Sequence, residues 1–183
     1  MFWYRIRVLI LVVSGFTACV SENKPAVSEK VYFDLEGYFR TEALRLGKLG
    51  TPIEKTVYDN GKSEKRTVSI DDWESELQLF TGSDINRTAW KNSYFVERAG
   101  NTTTYMAKEA GLRTRMISFS KDTQGRLISL KIENKTENML YTSEEKLRYY
   151  PDSLYSIDKS QNVKMLGFHH YKIEGKWQLS AEP

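Results

Sequence analysis

Cysteine is almost absent from this chain of 183 residues: Cys19 is the only one, and there are just two histidines and four prolines. A lone thiol cannot form a disulfide within the chain, so packing must stabilise the fold. Zinc sites are built largely from cysteine and histidine. His169 and His170 are neighbours, and neighbours in a strand point to opposite faces. We therefore expect no metal site and no cofactor.

Motifs of nucleophilic and nucleotide-dependent enzymes are also missing. The chain has no Gly-x-Ser-x-Gly turn and no phosphate-binding glycine loop. Ser-x-x-Lys occurs four times, beginning at Ser21, Ser118, Ser143 and Ser156. Of these, Ser143 with Lys146 is the least implausible catalytic pair. Paired carboxylates at 71–72 and 144–145 are explained by a helix N-terminus and by a solvated turn. We expect no catalytic residue.

Charge is balanced along the chain. The formal net charge is +3, and it becomes +1 without Arg5 and Arg7, the only charged residues among positions 1–18. No run of five or six like charges occurs, and no basic face is indicated. We therefore expect no nucleic-acid partner.

A long hydrophobic run is lacking too. The apolar segment 8–18 has eleven residues, about 16 Å of helix, whereas a membrane span needs roughly 20 residues. Arg5 and Arg7 precede it, and small residues end it, which is the layout of a secretory signal. The sequence predicts a signal peptide at residues 1–18, with an uncleaved anchor as the alternative.

The residues at the end of this segment are Phe16, Thr17, Ala18 and Cys19. They resemble the lipobox of bacterial lipoproteins, in which an apolar residue, a small residue and alanine or glycine precede an invariant cysteine. The resemblance implies cleavage before Cys19, acylation of that cysteine, for example with palmitate, and attachment to a membrane. Several acyl chains hold a protein far more firmly than one.

Residues 19–30 are predicted to be the lipidated cysteine and a flexible tether. They are mostly polar, contain Pro25, and reach at most about 35 Å when extended. In the lipoprotein family an aspartate after the cysteine favours inner-membrane retention in some bacteria. Val20 stands there, so we expect the outer membrane, with the domain facing either the periplasm or the outside.

Residues 31–183 have the size of one domain, and their first part predicts two helices. Helical spacing of apolar residues extends over 31–49, with Gly47, Gly50 and Pro52 as stop signals. A capping-box pattern at 69–72 predicts a second helix that ends at Gly82. Its apolar stripe is Trp73, Leu77 and Phe80.

The remaining segments favour strands. Asn60 and Gly61 tolerate positive φ and lie between the polar arms of 56–68, which predicts a hairpin at an exposed edge. Alternating apolar residues predict strands at 94–98, 102–108, 112–121, 126–133, 139–142, 154–159 and 163–174. In the fourth strand, Ile128, Leu130 and Ile132 are expected to point inward against the second helix.

The expected fold is therefore α+β: two N-terminal helices packed on a curved antiparallel β-sheet, with the strands in a meander. Such a sheet can bend into a half-barrel, which resembles the lipoprotein-carrier and lipid-binding proteins of the bacterial envelope. Aromatics in or near the strands could line a ligand cavity, but filling of the core is the more common reason for them. These aromatics are Tyr94, Phe95, Tyr149, Tyr150, Tyr155, Phe168, Tyr171 and Trp177.

Four segments carry a second resemblance: residues 32–39, 55–64, 83–90 and 150–157. They are similar to segments of uncharacterised small lipoproteins of Bacteroidota. The resemblance implies an envelope location, and it implies no activity, ligand or catalytic residue.

Together these features predict a membrane-anchored envelope lipoprotein, with lipid on Cys19 as its link to the membrane. Its domain is expected to be a non-enzymatic binding module for an apolar small molecule or an envelope protein. A pure protein-interaction module, such as an accessory subunit, an inhibitor or an immunity-type protein, is the first alternative. An undetected hydrolase is the second.

Overall fold

A computed structural model describes residues 30–177, and most of this range forms one antiparallel sheet. Three α-helices lie there, α1 (Leu35–Leu49), α2 (Trp73–Glu76) and α3 (Gln78–Thr81), together with a 3-10 turn at Thr88–Trp90. The strands are β1 (Ile53–Asp59), β2 (Lys62–Val68), β3 (Tyr94–Ala99), β4 (Thr102–Ala107), β5 (Thr114–Lys121), β6 (Leu127–Glu137), β7 (Tyr141–Tyr150), β8 (Leu154–Val163) and β9 (Gly167–Trp177).

Helix α1 has a cap at each end. An Asp34 carboxylate oxygen accepts a hydrogen bond from the backbone N–H of Gly37 at 2.7 Å, which satisfies one of the free donors of the first turn. Gly50 follows the helix with φ 58°, a left-handed conformation that suits glycine. The helix thus begins four residues later than predicted and ends where predicted.

The expectation of two N-terminal helices is wrong. In place of a second helix over 69–82 there are two four-residue turns, α2 and α3, which meet at Leu77. Asp72, and not Ser69, caps the first turn, because its side chain accepts from the backbone N–H of Ser75 at 2.9 Å. A segment this short lacks the roughly 12 residues that a helix needs for stability of its own. Packing of its side chains therefore decides its shape.

The sheet is open, with strand order β2-β1-β9-β8-β7-β6-β5-β4-β3. Strands β3 to β9 form the predicted meander, in which each strand pairs with the next one along the chain. The β1–β2 hairpin returns to pair with β9, so β2 and β3 are the two edges.

The predicted edge hairpin is confirmed. Asn60 and Gly61 connect β1 to β2 with φ 46° and 87°, the positive values of a type I′ turn. Nearly all of β2 is exposed, and its lysines, glutamate and arginine cover the edge with charge. Charged residues on an edge strand discourage pairing with another chain.

The expected inward position of Ile128 is wrong. Leu130 and Ile132 are buried, but the side chain of Ile128 is 46% exposed. The pairing of β5 with β6 passes from Ser120 with Ser129 to Lys121 with Leu127, so Ile128 is an extra residue on β6. A bulge of this kind disrupts the alternation of side chains between the two faces.

Strand β7 is much longer than the predicted strand 139–142, and the predicted solvated turn at 144–145 does not exist. Both glutamates lie within β7, where Glu145 is buried and Glu144 is exposed. The alternation in β7 places Ser143, Glu145, Leu147 and Tyr149 on the sheet face that α1 covers. We call this face the inner face.

Candidate functional site

Aromatic side chains fill the inner face beneath the helices. The ring of Phe39 from α1 lies 4.8 Å from the ring of Phe80 and 5.0 Å from the ring of Tyr149, centre to centre. All three side chains are fully buried, as are Leu77 and Leu130. The predicted burial of the stripe Trp73, Leu77 and Phe80 is confirmed. Within the described residues, side chains therefore occupy the place where a lipid-binding sheet would hold a lipid tail.

A second group of rings lies on the inner face beside the end of β9. Trp73 stacks on Trp177 with ring centres 5.8 Å apart and an angle of 9° between the planes. Tyr155 lies against both rings, and its hydroxyl donates to Glu76 at 2.5 Å. Lys55 binds the other oxygen of Glu76 at 2.7 Å. The short helix α2 is therefore held in place from β1, β8 and β9.

A buried carboxylate joins α1 to the middle of the sheet. Glu42 accepts a hydrogen bond of 2.5 Å from the Tyr149 hydroxyl, and Arg45 donates to both of its oxygens. Burial raises the pKa of Glu42, but the hydrogen bonds from Arg45 and Tyr149 outweigh that effect, so the pKa lies below its usual value. Glu42 is thus an ionised link between the helix and β7.

The inner face also holds a polar cluster of Glu145, Arg113, Lys159 and Asn134. Arg113 donates to Glu145 at 2.6 Å, Asn134 at 3.1 Å, and the Lys159 ammonium lies 3.1 Å from the other carboxylate oxygen. Burial raises the pKa of Glu145, and the charge of Arg113 and the hydrogen bonds from Lys159 and Asn134 lower it further than burial raises it. The carboxylate is ionised.

The contacts of Glu145 suit a structural role better than a role in proton transfer. Three donors already occupy the oxygens of Glu145, and its lowered pKa makes it a weak base. Asn134 Oδ1 and Ser143 Oγ are buried beside it without a hydrogen-bond partner among the described residues. Buried polar atoms of this kind commonly hold a water molecule.

A cleft of about 650 Å³ opens between α1 and the turns that follow β5 and β7. Phe33, Tyr38 and Leu127 form its apolar wall. Two cations of the cleft are already paired, since Arg45 binds Asp152 at 2.6 Å and Arg126 binds Asp122 at 2.7 Å. Their charge is therefore largely neutralised within the protein.

Lys121 is different from these two arginines. Its ammonium lies over the rings of Phe33 and Phe119, 5.0 Å and 5.7 Å from their centres. No carboxylate of the described residues lies within ion-pair distance of it. A cation above aromatic rings, beside an apolar wall, suits a ligand with one negative charge and an apolar body.

The structure separates the histidines as the sequence predicts. His169 lies 2.9 Å from Asp59 and His170 lies 2.9 Å from Asp158, and each of these carboxylates belongs to a different strand. Among residues 30–177, no three metal-ligating side chains come together.

The Ser-x-x-Lys pairs are not brought together in strands. Residues three apart in a strand point to opposite faces, so Ser143 lies on the inner face and Lys146 on the outer one. The same spacing separates Ser156 from Lys159 in β8 and Ser118 from Lys121 in β5. The fourth pair begins at Ser21, outside the described residues.

The strand aromatics have divided roles. Tyr94, Tyr149 and Tyr155 are core residues, with Tyr150, Tyr171 and Trp177 partly buried. Phe95 and Phe168 are exposed. Cys19 and the segments 1–18 and 19–29 lie outside the described residues, so the lipobox remains a prediction. Within the described part, no helix is both long and apolar enough to cross a membrane.

Comparison with models of known protein families, with curated proteins and with solved structures finds no match to this chain.

Sequence reasoning missed one apolar surface, which we call the hairpin tip: Met139, Leu140, Met165, Leu166 and Phe168. These five side chains are 67–95% exposed, and they lie in or beside the turns after β6 and β8. The two turns are in contact, because the backbone N–H of Lys164 donates to the Leu140 carbonyl at 3.1 Å. A Met-Leu pair in each turn was the available signal, since turns usually carry polar residues.

Proposed function

We propose that this chain is a bacterial envelope lipoprotein, cut before Cys19 and attached to the outer membrane by lipid on that cysteine. The apolar segment 8–18, the lipobox residues and Val20 support this proposal. The polar tether then keeps the domain within about 35 Å of the membrane. At that distance the domain meets envelope proteins and lipid headgroups.

For the domain itself we propose a non-enzymatic protein-interaction module. The observation that carries this proposal is the filled inner face, which leaves the outer surface of the domain as the place where a partner binds. Phe39, Phe80 and Tyr149 pack ring against ring beneath α1, which leaves the face without room for a carried lipid. An envelope protein is therefore favoured over an apolar small molecule as the partner.

A hydrolase is less well supported. The most buried carboxylate near other polar groups, Glu145, is ionised and held by three donors. The Ser-x-x-Lys pairs of the described strands divide between the two faces of the sheet. Neither arrangement offers a nucleophile within reach of a base.

We also propose that the sheet curves around α1 as an open half-barrel. The two register shifts between β5 and β6 support this, since bulges increase local twist and bend a strand. One buried residue from each of β4 to β8 lies in a continuous cross-strand row on one face of the sheet, which supports it as well: Tyr105, Ile117, Ile132, Leu147 and Ile157.

A second candidate function is the binding of a small amphiphilic anion in the cleft beside Lys121. It follows from the ammonium of Lys121, which lies over Phe33 and Phe119 without a carboxylate partner among the described residues. A fatty-acid anion has the required charge and apolar body. This binding would take place at the surface and would leave the filled core unchanged.

Titration with two fluorescent probes separates these functions. A neutral apolar probe should show no saturable binding to the folded protein, because the inner face is filled. Stoichiometric binding of that probe would overturn the interaction module in favour of a lipid carrier.

A fluorescent fatty acid tests the cleft. If the cleft is a site, Lys121→Gln should weaken its binding about tenfold, whereas Lys62→Gln in the exposed edge strand should not. Equal binding by both variants would exclude the cleft as the second function.

A further inference from the structure

We infer that the hairpin tip inserts into the surface of a lipid bilayer and orients the domain on its membrane. The tip consists of Met139 and Leu140 after β6, and Met165, Leu166 and Phe168 after β8. Side chains that are exposed to this extent gain the most from transfer out of water. The inference rests on the proposed envelope location, but its test does not need the acyl chain.

The tip projects from the rest of the sheet. Strand β6 continues for three residues after Asn134, the last residue of β6 that pairs with β5. On the other side, β9 begins four residues before Tyr171, where its pairing with β1 starts. Neighbouring segments still bond to β6 at Lys135, which donates to Arg113, and to β9 at His170, which accepts from Asn60. At about 3.4 Å per residue, the β6–β7 and β8–β9 hairpins extend roughly 7 to 10 Å past these bonds. A projecting end can enter a bilayer without bringing the charged sheet faces with it.

The backbone of the tip suits an apolar medium, where each unpaired polar group is costly. Asn138 Oδ1 accepts from the backbone N–H groups of Leu140 and Tyr141 at 2.9 and 3.0 Å. The N–H groups of Lys164 and Leu166 donate to the carbonyls of Leu140 and Val163, both at 3.1 Å. Much of the backbone in these two turns is therefore already hydrogen-bonded within the protein.

Charge at the tip also favours lipid. Lys164 is the single charged residue in the turns 138–140 and 164–166, and its side chain is exposed. A lysine can keep its ammonium among phosphate groups while its methylenes lie along the acyl chains. A protein-binding surface, in contrast, usually has a polar rim with several hydrogen-bonding side chains.

The chain before Lys30 enters the domain beside the edge strand β3, where the ring of Tyr32 contacts Tyr94 and Tyr105. The Tyr32 hydroxyl donates to the carbonyl of Lys91 at 2.8 Å, and its ring lies 5.6 Å from that of Tyr94, the first residue of β3. Successive antiparallel pairings place the start of β3 at the end where β6 and β8 finish. Twenty-nine residues precede Lys30, including the proposed anchor. The proposed tether of up to about 35 Å is long enough to let the tip reach the membrane from this edge.

Site-specific fluorescence on vesicles tests the inference. The full chain with Cys19→Ser provides a background in which an introduced cysteine is the only thiol. An environment-sensitive dye is attached at Met165→Cys in the tip, or at Gln124→Cys in the turn at the opposite end of the sheet. With phosphatidylethanolamine and phosphatidylglycerol vesicles, we expect a blue shift and quenching by nitroxide lipids for the first label only.

Matched leucine variants show whether the apolar side chains cause the insertion. Leu166→Ser should reduce quenching at position 165 several-fold, whereas Leu44→Ser, at an exposed leucine of α1, should not. Equal quenching at positions 124 and 165, or no effect of Leu166→Ser, would overturn the inference. A label at 165 that stays in water on vesicles and shifts only with envelope proteins present would assign the tip to a protein partner. Loss of acylation in a separate labelling experiment would contradict the proposed anchor alone.

Discussion

The hydroxyl of Tyr149 donates a hydrogen bond of 2.5 Å to Glu42, so the centre of the sheet is fixed directly to helix α1. Arg45 binds the same carboxylate and also reaches Asp152 in the turn after β7. The carboxylate is buried and ionised, and it depends on these partners for its charge to be tolerated.

This link should make stability dependent on pH. The pKa of Glu42 is lower in the folded protein than in the unfolded chain, where it is about 4.3. Its contribution is therefore fully present above that value and is lost as the pH falls through the folded pKa. We expect the free energy of unfolding to decrease from about pH 5 downward, with Glu145 contributing in the same direction. Urea denaturation at several pH values measures it.

Glu42→Gln should lower stability by about 1 to 2 kcal/mol at pH 7 and flatten the acid dependence. Glu36→Gln is the matched control, because Glu36 forms only an exposed pair with Arg40. It should change stability by less than about 0.5 kcal/mol. An unchanged acid slope in Glu42→Gln would show that the link to Tyr149 does not carry the effect.

Phe80 tests whether the inner face is filled. Its side chain is fully buried against Phe39 and Tyr149, so Phe80→Ala should cost about 3 to 5 kcal/mol. Phe95→Ala, at an exposed position on the edge strand, should cost below about 1 kcal/mol. Thermal or urea unfolding of both variants compares them. A small loss for Phe80→Ala would indicate a loosely packed face with room for a ligand.

Gly175 tests a close contact in the sheet. A Cβ atom at this position would lie 2.0 Å from the ring of Tyr155, which is itself held by Glu76. Gly175→Ala should therefore destabilise the protein by about 1 to 3 kcal/mol, because the ring must move. Gly111→Ala has open space around it and should be nearly neutral. Equal unfolding midpoints for the two variants would contradict the packing of Tyr155 over β9.

The turn between β1 and β2 requires residues that tolerate a positive φ. Gly61 has φ 87°, so Gly61→Val should cost about 1 kcal/mol or more, whereas Gly61→Asn keeps a residue that tolerates positive φ. Because β2 is an exposed edge strand, the fold should survive both changes. Circular dichroism at room temperature checks this, and global unfolding of Gly61→Val would place the hairpin in the core.

Local signals in the sequence predicted much of the sheet. The sequence predicted the positive-φ turn at Asn60 and Gly61, the burial of Leu130 and Ile132 in β6, and the meander of β3 to β9, because each depends on neighbouring residues. The full length of β7 was not predicted from the sequence, because the polar residues Ser143 and Glu145 on its inner face interrupt the apolar alternation. Glu145 is tolerated there only because Arg113 and Lys159, 32 and 14 positions away in sequence, neutralise it.

The candidate sites were less predictable, because they depend on contacts between residues that are distant in sequence. Lys121 becomes notable only when Phe33 and Phe119 lie under its ammonium. The hairpin tip requires that two turns, 26 residues apart in sequence, lie side by side, as the hydrogen bond from Lys164 to Leu140 shows. The predicted second helix does not form, because contacts of Trp73 and Phe80 with rings distant in sequence fix two separate turns instead.

Intact mass spectrometry of the protein purified from bacterial membranes shows whether lipid on Cys19 holds this domain at a membrane. We predict a chain that begins at Cys19 and carries the added mass of acyl chains. Cys19→Ser should retain residues 1–18 and carry no acyl mass. An unmodified thiol at Cys19, or a membrane-bound wild-type chain that still contains residues 1–18, would show that lipid on Cys19 is not the anchor.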